Sequence, residues 1–137
     1  MRVHDTSVII PALAEWHPHH DVARMQLTPR ADVVGHCAVE SYSVLTRLPE
    51  PHRLTPEVAA EALTRLIGRA VVLDHEQARE IPRMLADAGV RAGAAYDGLV
   101  AITAKVNDAT LVTLDAKASQ TYRRLGVAFD LLRVDDA

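Results

Sequence analysis

At 137 residues the chain is the size of one domain, long enough to bury a core and too short for two. Hydrophobic residues make up 49% and charged residues 24%, which argues against disorder, and a net charge of −3 discourages a strongly basic nucleic-acid binder. The longest early apolar run, Val8 to Ala14, is broken by Pro11 and followed by Glu15, so it neither spans a bilayer nor has the layout of a signal peptide. A single cysteine, Cys37, leaves no internal disulfide, and a cytoplasmic protein with no membrane contact is expected.

Residues 1–137 read as one domain, with no repeat, linker or low-complexity tract. The first strand is expected over 2–5, followed by a helical segment. The His17-Pro18-His19-His20 run reads as a polar turn opening the second helix. Zinc would want cysteines or a spaced His-x-x-x-His, and neither is present. A second strand over 32–34 leads into an amphipathic helix whose buried face is Cys37, Val44, Leu45 and Leu48. Thr55-Pro56-Glu57 supplies an N-cap, an N1 proline and a first-turn acid for a helix running to Leu66, with Gly68 as its C-cap. A third strand is expected over 71–73. Asp74 with Gln77 then opens a helix through Ala86, in which Pro82 predicts a kink or break. Gly89 caps that helix. The next helix, over 94–104, carries an apolar stripe of Leu99, Ile102 and Val106. Strands over 111–113 and 129–132 flank a last helix that ends at Gly126. Short strands alternating with helices imply βαβ units and a mostly parallel sheet.

Three of these junctions place an aspartate just beyond an apolar run: Asp5, Asp74 and Asp115. Ligands of open α/β sheets bind beyond the carboxyl ends of the strands, so strand-end carboxylates suggest an acidic pocket, and an acidic pocket suggests a hard cation. Asp5 is followed by Thr6 and Ser7, which can cap the helix themselves and leave the aspartate for chemistry. Asp115 serves equally as a cap or a ligand, with Thr113 on its side of the strand. Asp74 has a capping partner in Gln77 and reads as structural. Asp97 lies opposite the apolar stripe of its helix, in line with Ala101 and Ala104. That placement suits a solvated position or the close approach of another element. Glu40 sits at the margin of a core face, where an acid is usually a surface residue.

Taken together, the segments around Val3-His4-Asp5-Thr6-Ser7, Val39-Glu40-Ser41-Tyr42-Ser43, Tyr96-Asp97-Gly98-Leu99 and Leu111-Val112-Thr113-Leu114-Asp115 resemble the PIN domain, and more narrowly the VapC-type toxin ribonucleases of toxin–antitoxin pairs. The resemblance implies a three-layer α/β/α fold with strand order 3-2-1-4-5, which makes Asp5 and Asp115 neighbours and brings Glu40 and Asp97 into the same pocket. It implies an endoribonuclease using Mg²⁺, or Mn²⁺ in its place, held by Asp5, Glu40, Asp97 and Asp115, with Thr6, Ser7 and Thr113 behind them. It also implies an RNA substrate, a cognate VapB-type antitoxin and a homodimer. His4 occupies a slot that is usually apolar. With four carboxylates set aside as ligands, the overall −3 becomes +1 for the remaining surface, so an acidic total does not exclude a nuclease.

Competing readings are weaker. A haloacid-dehalogenase-like phosphatase wants a second aspartate two residues after the first, where Ser7 stands, and a receiver domain wants paired acids. A PIN-like module that acts only by binding RNA or metal should have lost acids, and all four are present. Among the basic residues Arg47, Arg53, Arg91, Lys105, Lys117, Arg123 and Arg124, Lys117 is best placed for a phosphate. Trp16 and Tyr42 suit stacking on RNA bases, but core or partner-facing roles are favoured, and Cys37 reads as a small core hydrophobe.

Overall fold

A computed structural model of the chain describes residues 1–27 and 29–134. Its elements, in order, are β1 (Arg2–His4), α1 (Thr6–Leu13), α2 (His20–Gln26), β2 (Ala31–Val34), α3 (Gly35–Thr46), α4 (Pro56–Leu66), β3 (Ile67–Val71), α5 (His75–Asp87), α6 (Ala94–Val106), β4 (Thr110–Thr113), α7 (Ala116–Arg124) and β5 (Phe129–Leu131). The strands form one sheet, order β3-β2-β1-β4-β5, and every pairing is parallel.

Right-handed crossovers explain where the helices lie. The chain steps from β1 through β2 to β3 in one direction, then returns past β1 and continues to β5 in the other. Helices α1 to α4 therefore pack together on one face, and α5 to α7 on the other. The central strands contribute Val3, Leu111 and Val112 to the core, all fully buried, and Val8, Ile9, Leu45, Ala101 and Ile102 cover them from the two faces. Among the described residues no helix is long and apolar enough to cross a membrane.

The alternation of elements follows the sequence reading, with four local corrections. The third strand covers Ile67–Val71, upstream of the expected 71–73. It pairs in parallel with β2, where Asp32 also accepts hydrogen bonds from the Arg69 backbone (3.0 Å) and guanidinium (2.8 Å). Val71-Val72-Leu73 is more apolar, but the chain leaves the sheet at Val71. Gly68 is consequently a strand residue and not a left-handed cap; Gly89 (φ 70°) and Gly126 (φ 69°) do adopt that conformation. Helix α5 runs through Pro82 unbroken, with Pro82 and Ala78, whose carbonyl loses its partner, both on the exposed side. In α3 the fully buried face is Cys37, Ser41 and Leu45, with Val44, and Leu48 beyond the helix end, only partly covered.

His4 accounts for its unusual slot by donating from Nδ1 to the Asp32 carbonyl (2.8 Å), and burial holds its pKa below the usual value, so it is a neutral core residue.

Candidate functional site

Strand order reverses between β1 and β4, the place where open α/β sheets leave a crevice at their carboxyl edge. Asp5 is the first residue past β1, and its backbone N–H still donates to the Val112 carbonyl of β4 (3.2 Å). Asp115 lies two residues past β4. These two line one cavity together with Glu40 of α3 and Asp97 of α6. Residues more than a hundred positions apart meet because the sheet returns to its centre after building its first edge. Thr6 and Ser7 also line this cavity, whereas Asp74, at the β3 edge, does not.

Capping does not distinguish these aspartates. Asp5 itself caps α1, accepting from the Ser7 N–H (3.0 Å), although Thr6 and Ser7 were expected to relieve it of that task. Asp115 caps α7 by accepting from Lys117 and Ala118 N–H (3.0 and 3.1 Å), and Asp74 forms a reciprocal capping box with Gln77. Position in the sheet, not freedom from capping, separates Asp5 and Asp115 from Asp74.

The face of α6 that carries Ala101 and Ala104 is fully buried, so these small side chains let the helix pack closely against the protein and carry Asp97, half-buried, to the cavity. Of the expected stripe only Ile102 is fully buried. Glu40 remains at the exposed margin of α3, where His36 lies 3.6 Å from its carboxylate.

A chain of hydroxyls fixes Asp5. Ser7 Oγ donates to Asp5 Oδ1 and accepts from the Leu114 N–H (2.8 Å). Since Ser7 has one proton to give, the 3.2 Å contact with Thr113 Oγ1 is donated by Thr113, whose oxygen in turn accepts from the Asp115 N–H (3.0 Å). The other Asp5 oxygen accepts from Tyr122 Oη at 2.7 Å, and Tyr122 is almost wholly buried. Sequence reasoning missed Tyr122. Its signal was available: Asp115, Ala118 and Tyr122 recur at helical spacing, and a buried tyrosine needs a partner for its hydroxyl.

Burial pushes the Asp5 carboxyl above its ordinary range, opposed by the Ser7, Thr113 and Tyr122 hydrogen bonds. Asp97 is also raised, first by burial and then by the negative charges of Asp115, Asp5 and Glu40, with Lys117 pulling the other way. Cys37 lines the cavity too, but burial drives its thiol up to about 12, so it is a neutral wall and no thiolate ligand. The donor set is therefore oxygen only, crowded and short of positive charge, which suits a hard divalent cation. Among the described residues no three acidic, histidine or cysteine side chains already converge as a finished metal cage. Glu40 and Asp115 are exposed, with one Asp115 oxygen held by the cap of α7, while Asp5 is buried and fixed.

The histidine run forms the turn between α1 and α2: His17 Nδ1 accepts from the His19 N–H (3.0 Å), and His20 donates to the Pro11 carbonyl (2.8 Å). Trp16 stacks on His52 with ring centroids 4.2 Å apart. Trp16 and Tyr42 are both exposed, so neither belongs to the core.

Comparison with known proteins agrees with this architecture. The PIN domain family model matches residues 2–124. Ribonuclease VapC40 of Mycobacterium tuberculosis is 43% identical over 130 residues, which cover 93% of this chain and 96% of the relative. Ribonuclease VapC27 of the same organism is 42% identical over 124 residues, 90% of each chain. With a family model spanning most of its length and relatives aligned almost throughout, the chain belongs to the PIN domain family, in its VapC branch.

Proposed function

We propose that the protein is a Mg²⁺-dependent endoribonuclease and the toxin of a toxin–antitoxin pair. The observation that carries this reading is the meeting of Asp5, Glu40, Asp97 and Asp115 at one cavity beyond the carboxyl edge of the sheet. Relatives named as ribonucleases over nearly the same length support RNA as the substrate.

Asp5, Glu40, Asp97 and Asp115 would hold the cation, directly or through water, with Mn²⁺ able to substitute. Bound there, a divalent cation supplies charge to polarise the scissile phosphate and acidify the attacking water. The protein's own part is positioning. Ser7 and Tyr122 lock Asp5, Thr113 orients Ser7 and the turn into α7, and the crowding of carboxylates keeps the site selective for cations. Hydrolysis forms a phosphorus–oxygen bond to water and breaks the bond to the ribose 3′-oxygen, which takes up a proton. No covalent protein intermediate is needed, and the neutral Cys37 is unsuited to form one. A VapB-type antitoxin and a second copy of the chain complete the proposed assembly.

Total cellular RNA offered to metal-stripped protein tests this, with Mg²⁺ or Mn²⁺ restored, beside Asp97→Asn and Glu40→Gln. Cleavage should appear only with the metal and fall about a hundredfold or more in each variant. Undiminished cleavage in chelator, or equal cleavage by wild type and both variants, would sink the assignment. Wild type that binds RNA but never cuts it would favour a module that acts by binding alone.

A further inference from the structure

Two larger cavities adjoin the acidic one, each sharing lining residues with it. A cavity of about 770 Å³ shares Asp97 and Asp115 with it and is lined beyond them by Arg91, Lys117 and Arg124. Another, of about 540 Å³, shares Glu40 and is walled by His36 and Tyr96. Linked through these shared residues, the three cavities form a furrow with Arg91, Lys117 and Arg124 in one part, the carboxylates in the next, and His36 and Tyr96, together with Arg47, in the last.

Both ends present groups open to a ligand. Among the described residues Arg91 and Arg124 have no carboxylate partner, a state they share with Arg79 and Arg123 elsewhere. Arg124 is nevertheless held in place, donating one guanidinium N–H to the Gly89 carbonyl (3.0 Å) and keeping its others for a ligand. At the far end Tyr96 is 65% exposed and lies nearly parallel to His36, with planes 15° apart and centroids at 6.3 Å. Tyr96 directly precedes Asp97, so an open aromatic face is fixed next to the acidic centre.

We propose that this furrow is a path for single-stranded RNA: a backbone phosphate beside the cut sits on Arg91 and Arg124, the scissile phosphodiester lies at the acidic cavity, and a base on the far side stacks on Tyr96. The inference rests on the ribonuclease reading and adds the substrate's course. Cationic side chains that track the backbone, combined with exposed aromatic faces, are how single strands are gripped without reading sequence. Duplex RNA would not offer an unstacked base to Tyr96.

The test measures binding separately from cutting. In an Asp97→Asn background, affinity for a labelled single-stranded RNA of about twelve nucleotides is followed by fluorescence anisotropy over a range of salt. Each phosphate no longer neutralised should lower the slope of log affinity against log salt by about 0.7, so Arg91→Ala with Arg124→Ala, which together release one phosphate, should lower it by about 0.7. Arg65→Ala, away from the furrow, should leave it unchanged. Tyr96→Ala should weaken binding about tenfold with the slope intact, and Tyr96→Phe should restore it. All three residues are exposed, so the folded state tolerates their replacement. An unchanged slope in the double arginine variant, or parental affinity in Tyr96→Ala, overturns the path. So does a Tyr96→Ala variant that loses self-association while binding RNA normally, which would assign that end to a second copy of the chain. Mg²⁺-dependent cleavage by wild type is scored apart. Intact cleavage with unchanged slopes refutes the path alone, and absent cleavage with the expected slopes refutes the ribonuclease reading alone.

Discussion

Tyr122→Phe isolates one atom of the site. Tyr122 is almost completely buried, and its hydroxyl donates to Asp5 Oδ2 at 2.7 Å. Burial and the adjacent Asp5 charge push that hydroxyl's pKa up, so it remains a protonated donor at any ordinary pH. Phenylalanine keeps the ring and its packing, so the loss is confined to a hydrogen bond made to an ionised, buried acceptor. Such bonds contribute about 1.5–3 kcal/mol, and about 2 kcal/mol is expected here. For a chain of this size that lowers the melting temperature by roughly 8 °C. Thermal unfolding at neutral pH in chelator reads it directly. The same change should weaken Mg²⁺ about ten- to a hundredfold, since it frees an oxygen of Asp5 that Tyr122 orients. Titration calorimetry measures that without any RNA. A loss of stability below about 0.5 kcal/mol together with unaltered Mg²⁺ affinity would refute the view that Tyr122 positions Asp5.

Two further outcomes are expected. Asp5 and Asp97 have folded pKa values raised above the ordinary aspartate value of 3.8, so between 3.8 and those values the folded state holds more protons than the unfolded one. Metal-free stability is therefore full below 3.8 and falls as pH rises through that window. Asp97→Asn should gain on wild type over the same window, and saturating Mg²⁺ should stabilise wild type by about 2.7 kcal/mol at a hundred times its dissociation constant. Melting curves across pH with and without Mg²⁺ check this, and a wild-type–variant difference that ignores both pH and Mg²⁺ would contradict it. Gly89→Ala should cost about 1 kcal/mol, because Gly89 closes α5 at φ 70°. Equal denaturation midpoints for variant and wild type would show that this strain is absent.

The sequence itself determined the alternation of strands and helices, because periodicity and capping are local. Thr55-Pro56-Glu57 opens a helix, Asp74 with Gln77 opens another, and Gly89 closes it, wherever the rest of the chain lies. Local signals failed where a distant partner decided. Ile67–Val71 is a strand because it pairs with β2, where Asp32 also meets Arg69, and nothing inside Ile67–Val71 announces that pairing. Ser41 lies in the core of α3 by the same logic, its position fixed by neighbours and not by its own polarity.

The candidate site divides along that line. Asp5, Asp74 and Asp115 look alike in the sequence, and the structure makes all three of them helix caps. Only the return of the sheet to β1 puts Asp5 and Asp115 at one crevice and leaves Asp74 at the edge. The family resemblance anticipated that order from the motifs, but residue chemistry alone could not. Tyr122 became visible only with the tertiary fold, since its role depends on an acceptor 117 positions away. Secondary structure follows from interactions within a few residues; a polar site built from opposite ends of a chain follows from topology, because only the sheet order brings its parts within reach of one another.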